Sequence, residues 1–278
     1  MDPLFKTYKS LIDAYLLKFL DGKKAALAAV NPYGPDMIER VKKMVVAGKT
    51  IRGSLVLLSF CFTNEKPTEN AIKAAAAMEL MQTALVIHDD IMDHDDMRRG
   101  IPAMHKQYES ESLAMCVGDI VFFLTFELLG SIQTDEVTMG RMIRLVGREY
   151  EYVGVAQMGD VSAKKRTKPE TLALYTYKTA RYTFALPLML GATLAGPPAG
   201  EAGTTKEMLR YLESYGVAVG VLFQIQDDVL DHEKNVFTKE DIAGFKTSAS
   251  ESITRLPITD THKKILTGLM NFVLTRTN

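Results

Sequence analysis

The chain has 278 residues, 47% hydrophobic and 24% charged, with a formal net charge of −1. The apolar share supports a large core, and no Gly/Ser/Pro-rich linker divides the chain, so one domain over residues 1–278 is expected. The balance lacks the basic excess of a nucleic-acid binder, but charge is segregated locally: acidic near 89–96 and 227–233, basic near 39–52, 98–99 and 164–168.

The first residues, Met1-Asp2-Pro3-Leu4-Phe5-Lys6, are charged and lack the apolar core of a signal peptide. Leu4, Tyr8, Leu11, Ile12, Tyr15 and Leu16 then recur at helical spacing. Asn31-Pro32-Tyr33-Gly34-Pro35 reads as a break. Ser54 to Phe62 could pass for a buried strand, but it has no partner strands and is read as helix. Thr68 to His88 is rich in Ala, Met, Leu and Glu and opens on a Thr cap. Arg99-Gly100-Ile101-Pro102 is a second break. Helices follow at about 110–130, 135–160, 168–195, 204–232 and 259–275, interrupted at Gly196-Pro197-Pro198-Ala199-Gly200. Hairpin signals are missing, so the expected class is all-α: a helical bundle around a deep central cavity.

The longest mostly apolar stretch is read as Phe184 to Gly196; it contains Pro187 and is short of the roughly 20 residues that span a bilayer. Cys61 and Cys116 sit among apolar residues and are expected to be buried thiols in a reducing, cytoplasmic compartment.

One internal repeat carries chemistry. Leu85-Val86-Ile87-His88-Asp89-Asp90-Ile91-Met92-Asp93-His94-Asp95 aligns with Phe223-Gln224-Ile225-Gln226-Asp227-Asp228-Val229-Leu230-Asp231-His232-Glu233, with five identities in eleven positions. On a helix, residues three and four apart share a face, so Asp89, Asp90 and Asp93 cluster, as do Asp227, Asp228 and Asp231. Such carboxylates repel one another unless a hard cation sits between them. Mg²⁺ takes oxygen ligands and prefers one or two carboxylates, waters and substrate phosphates. A solvated acidic face is the bland alternative, but the residues before each motif are apolar (Ala84 to Ile87; Val221 to Phe223, and Ile225), and the pattern occurs twice. His88-Asp89 also resembles the doublet of helical metal-dependent phosphohydrolases. Those need a ligand histidine well upstream, and none of the five histidines precedes His88. The Glu-x-x-His pairs of a di-iron bundle are missing too.

The first motif with its tail, Asp89-Asp90-Ile91-Met92-Asp93-His94-Asp95-Asp96-Met97-Arg98-Arg99-Gly100, resembles the first aspartate-rich motif of the polyprenyl synthase family, the trans-isoprenyl diphosphate synthases. Gly48-Lys49-Thr50-Ile51-Arg52, Gly118-Asp119, Gln157 and Asp160, Lys178-Thr179-Ala180 and Phe223-Gln224-x-x-Asp227-Asp228 fall in the family's order. The resemblance implies a homodimer in which an allylic diphosphate binds both aspartate motifs through about three Mg²⁺ ions, ionises, and is attacked by isopentenyl diphosphate.

By that resemblance, Asp89, Asp93 and Asp227 are direct metal ligands, and Asp90, Asp228 and Asp231 assist directly or through water. Lys49, Arg52 and Arg99 match the cations that hold isopentenyl diphosphate, with Gln82 where many members have histidine. Arg98 and Lys178 match contacts to the allylic diphosphate; Thr179 and Gln224 match polar groups along the carbocation's path. Thr50 and Gly53 depart from the family's usual Arg and Pro. The Gly-Lys-x-x-Gly-x-Asp stretch is reduced to remnants near Asp241 and Lys246, and the C-terminal region is shorter than usual.

Product length in the family is set by what blocks the tunnel beneath the first motif. Leu85 and Ala84 stand where shorter-chain members carry aromatics, and Met81 lies one turn deeper, about 5.4 Å and close to one isoprene unit. That implies a C20 product, geranylgeranyl diphosphate. The alternatives are a longer product, C25 or more, if Met81 swings aside, or a non-catalytic partner subunit. Such subunits usually lose one aspartate motif and terpene cyclases replace the second; both motifs are intact here.

Overall fold

The computed structural model describes residues 3–162, 165–196, 204–230 and 236–276. The chain forms two compact units: residues 1–54 with 68–133, and residues 55–67 with 134–278. The all-α expectation holds, apart from one short hairpin.

In the first unit, α1 (Pro3–Ala28) buries Phe5, Tyr8, Ile12, Leu16 and Leu20 along one stripe, and packs on α2 (Tyr33–Val46). The expected break at Asn31 to Pro35 runs into the start of α2: Gly34 and Pro35 occupy its first turn, where proline's missing N–H costs nothing. α4 (Glu69–Met92) starts at Thr68, whose hydroxyl accepts the Ala71 N–H at 3.3 Å. It is buried on nearly every face from Ala74 to Ala84, as expected of a central helix. The short α5 (Met104–Tyr108) leads into α6 (Glu111–Gly130), which packs along α4.

Two expectations fail on α6. It is a 20-residue helix long and apolar enough to cross a membrane by length and composition, so the longest apolar stretch is here and not at Phe184 to Gly196; Asp119 and Glu127 disguised it. Cys116 is exposed because it lies on the outer stripe of α6 beside Met115, Ile120, Phe123 and Phe126; Cys61 is buried as expected.

Between α4 and α5 the chain forms a two-residue hairpin, β1 (Met97–Arg98) with β2 (Ile101–Pro102). Arg99 and Gly100 both have positive φ, 54° and 79°, which suits a tight two-residue hairpin turn. The break was legible at this point, the hairpin was not. α3 (Ile51–Phe60) bears out the helical reading of Ser54 to Phe62 as far as Phe60, with Cys61 and Phe62 in a turn beyond it; its first four residues belong to the first unit.

The second unit holds α7 (Glu136–Ser162), α8 (Lys168–Leu174), a π-helical segment (Tyr175–Ala185), α9 (Leu186–Ala195), α10 (Thr204–Leu230), α11 (Lys239–Arg255) and α12 (Asp260–Thr275). The stretch read as one helix over 168–195 is therefore three segments. The π-helical segment packs on α10. Ala180 and Ala185 face Gly220 and Gly216: a Cβ on Gly220 would lie 2.3 Å from the Ala180 Cα, and one on Gly216 2.5 Å from the Ala185 Cα. Alanines five apart meet glycines four apart, which fits the wider π turn against an ordinary α-helix. Gly220→Leu is expected to destabilise by about 2 kcal/mol or more through overpacking against backbone that has no room to move. Thermal unfolding would show this as a lower midpoint; an unchanged midpoint would mean that the two elements separate freely.

Candidate active site

The first aspartate motif ends α4. Asp89 is half-buried and Asp93, the C-cap, is exposed, with the Asp93 N–H bonded to the Asp89 carbonyl at 2.8 Å. The two carboxylates thus stand one turn apart at the mouth of a buried helix. Asp90 is fully buried. Its Oδ1 accepts the Arg98 Nε–H at 2.6 Å, and Arg98 also donates to Asp95 at 2.7 Å. Burial pushes the Asp90 carboxyl up, and the Arg98 guanidinium opposes that. The residue before the motif is clamped as well. His88 Nε2 lies 3.3 Å from the Met115 carbonyl oxygen and 3.4 Å from an Asp119 carboxylate oxygen. Gly118 is what allows this, because a Cβ there would sit 2.3 Å from His88 Nε2.

The basic residues expected to hold isopentenyl diphosphate gather in the same unit. The Arg99 guanidinium leans on Gly48, where a Cβ would fall 2.6 Å from its Nη1. Lys49 is exposed and Arg52 half-buried in the same turn. Gln82, Met81 and Ala84 are buried in α4, and Leu85 is partly buried. Arg98, expected at the allylic diphosphate, is here bound to Asp90 and Asp95.

In the second unit, Asp228 is buried, while Asp227 is half-buried. Asp228 accepts from the Tyr175 hydroxyl and, at 3.3 Å, from the Gln224 amide. The Gln224 amide oxygen accepts the Thr179 hydroxyl at 3.1 Å. Lys178 donates to Asp160, which also binds Arg166. Lys178, Thr179, Gln224 and Asp228 are thus brought together with Tyr175 by α7, the π-helical segment and α10. Asp227 carries Arg276, whose guanidinium also stacks 3.9 Å over Phe223. Asp231, expected as a metal-assisting carboxylate, lies outside the described residues.

Residues 35–252 match the polyprenyl synthetase family. The chain belongs to that family. It is 30% identical over 202 residues to a geranylgeranyl diphosphate synthase of Methanosarcina mazei, covering 71% of this chain and 59% of that protein. It is 32% identical over 212 residues to a farnesyl diphosphate synthase of Bacillus subtilis, covering 71% and 68%. The match to geranylgeranyl pyrophosphate synthase 3 of Arabidopsis thaliana, at 30%, takes in 80% of this chain and 63% of that one. The matched region is therefore about three fifths of the length of the first and third of these relatives. The fold is that of a Corynebacterium glutamicum geranylgeranyl pyrophosphate synthase crystallised with isoprenyl diphosphate and magnesium, with a TM-score of 0.84 at 20% identity over 99% of this chain and all of that one.

Among the described residues, no three His, Cys, Asp or Glu side chains converge into a ready-made cage. That donor set still fits Mg²⁺, which relies on few carboxylates and otherwise on water and phosphate. Asp90 Oδ2 is buried without a hydrogen-bond partner, an anionic oxygen that a metal-bound water would satisfy. Sequence reasoning missed Tyr175, Arg276 and Glu79. Tyr175 had a signal, three residues before Lys178; Arg276 had none, because it meets Asp227 only in the folded chain. Asp241, read as a motif remnant, caps α11 in a reciprocal box with Thr238 and binds Lys168; Lys246 is exposed.

Proposed function

We propose that this protein is a Mg²⁺-dependent trans-prenyltransferase that joins isopentenyl diphosphate to an allylic diphosphate (dimethylallyl, geranyl or farnesyl), giving geranylgeranyl diphosphate. The observation that carries the reading is the family match over residues 35–252, together with the Asp89/Asp93 pair at the mouth of α4. Asp89 and Asp93 would be the metal ligands of the first motif, and Asp227 that of the second. Bound Mg²⁺ supplies Lewis-acid stabilisation of the charge that develops on the leaving diphosphate. Asp90 and Arg98 brace the turn that carries the first motif. Lys49, Arg52 and Arg99 offer a second, metal-free diphosphate its countercharge, the arginines through planar forks suited to phosphate oxygens. The Thr179 hydroxyl and Gln224 amide present dipoles that favour positive charge on carbon, without a nucleophile strong enough to trap it.

Purified protein with Mg²⁺, isopentenyl diphosphate and farnesyl diphosphate is expected to yield a C20 diphosphate, and to yield none with chelator. Absence of elongation by the protein alone would overturn the reading in favour of a partner subunit. Met81→Ala is expected to shift products beyond C20; an unchanged length distribution would remove Met81 as the floor. We also read the protein as a cytoplasmic homodimer. The exposed apolar stripe of α6, Met115, Ile120, Phe123 and Phe126, is the surface that a second copy would cover.

A further inference from the structure

Glu79 is a carboxylate in the middle of α4, only 6% exposed, in a stretch from Ala74 to Met81 that is otherwise apolar. A buried charge of this kind needs partners. Its Oε1 accepts the Gly53 backbone N–H at 2.7 Å, and the charges of Arg52, Arg99 and Lys9 act on it favourably. Burial pushes its carboxyl up; the Gly53 N–H and those three cations oppose the shift. All of them belong to the turn that joins α2 to α3 or pack against it.

That turn is built with care at every residue. Thr50 is buried with φ of 54°, a left-handed conformation that a β-branched residue adopts only when its surroundings hold it there. The Lys9 ammonium supplies part of the hold: it donates to the Val46 carbonyl at 3.1 Å and to the Thr50 hydroxyl at 3.3 Å, and pairs with Asp13 at 2.7 Å. Gly53 supplies the rest. A Cβ there would lie 2.9 Å from the Ala75 carbonyl oxygen and 3.2 Å from the Glu79 Cγ, so a larger residue would push α3 away from α4. Proline, usual in the family at this position, would also remove the N–H that Glu79 accepts.

We propose that Glu79 is a positioning residue for the isopentenyl diphosphate site: it anchors the start of α3 through the Gly53 N–H and holds the Arg52 and Arg99 guanidiniums side by side. Two guanidiniums brought together without an anion repel one another and spread. The Glu79 charge acts favourably on both, which would gather them before the diphosphate arrives and lower the ordering cost of binding. Glu79 itself does not touch the substrate. The inference rests on the reading of Lys49, Arg52 and Arg99 as the isopentenyl diphosphate cations.

Glu79→Gln keeps the shape and an acceptor for the Gly53 N–H but removes the charge; Glu79→Ala removes both. Steady-state kinetics should be measured with each substrate varied in turn, alongside thermal unfolding. Glu79→Ala removes an anchoring hydrogen bond to a charged group and is expected to raise the KM for isopentenyl diphosphate roughly tenfold or more. Glu79→Gln should raise it by less, and the allylic KM should stay within about twofold in both, well inside 1 kcal/mol. Equal rises for both substrates, or an unchanged isopentenyl diphosphate KM in a folded Glu79→Gln protein, would overturn the proposal in favour of a purely structural role. If Glu79→Ala does not fold, the Gln variant decides alone. Wild-type protein that consumes no isopentenyl diphosphate would sink the prenyltransferase reading itself, a result visible before any variant is compared.

Discussion

Arg181→Met is expected to cost this protein about 3 kcal/mol of stability, the largest loss from a single side chain outside the site. Arg181 projects from the π-helical segment onto Glu149 of α7, whose side chain is fully buried. The contact is a two-pronged fork, with Nε at 2.7 Å and Nη2 at 2.8 Å from the two carboxylate oxygens. Nη2 also reaches Glu213 of α10, and the guanidinium stacks near Tyr152 and Tyr177. These partners hold the Arg181 proton far more tightly than in water, the Glu149 contact foremost. Without Arg181, the ion-pair partner left to Glu149 among the described residues is Arg148, at 2.8 Å and partly in solvent, and Glu149 faces Glu213 as a like charge. The remaining Arg148 contact places the loss at the lower end of the roughly 3–5 kcal/mol typical of a broken buried pair. For a chain of this size, that lowers the thermal midpoint by roughly 6–12 °C. The double variant Arg181→Met, Glu149→Leu should recover most of the loss, because the stranded charge leaves with its partner. A double variant no more stable than Arg181→Met alone would show that the cost lies in packing and not in charge.

The same cluster shows what sequence could and could not reveal. The aspartate motifs were legible because their ligands are local: a carboxylate one turn from another shares its face whatever the rest of the chain does. α4 was legible because Thr68 announces it and Ala, Met and Leu continue it. α2 and α11 were not: Gly34 and Pro35 look like punctuation although the first helical turn tolerates them, and the Thr238/Asp241 capping box was read as a motif remnant. The π-helical segment escaped because a 3.6-residue period was assumed throughout, whereas Ala180 and Ala185 keep a period of five against α10. The contacts that brace the site are long in sequence: 26 residues from Gly53 to Glu79, 49 from Asp227 to Arg276, and 53 from Tyr175 to Asp228. No spacing rule links such partners. Each of these side chains alone reads as an ordinary helical residue.

Asp89→Asn and Asp90→Asn, neighbours in one motif, are expected to fail in different ways. Asp89 is half-buried at the end of α4, on the same face as Asp93. An amide there keeps the size and removes a hard anionic ligand. A metal ion at a developing oxyanion contributes several kcal/mol, and each 1.36 kcal/mol is tenfold in rate, so Asp89→Asn should lower kcat by about a thousandfold. Its thermal midpoint should stay near that of wild type, because the amide matches the carboxylate in size and shape. Asp90 is fully buried and answers Arg98, so Asn at position 90 weakens a charged contact inside the turn. Its first effect should be a lower midpoint, by about 1.5–3 kcal/mol, with a smaller loss of rate that follows from the loosened motif. Titration with Mn²⁺ as a paramagnetic stand-in for Mg²⁺ separates the two without any turnover: Asp89→Asn should lose a bound ion, and Asp90→Asn should retain it with weaker affinity. Equal metal loss in both variants would mean that Asp90 turns outward to bind the ion directly, and that its contact with Arg98 is broken whenever metal is present.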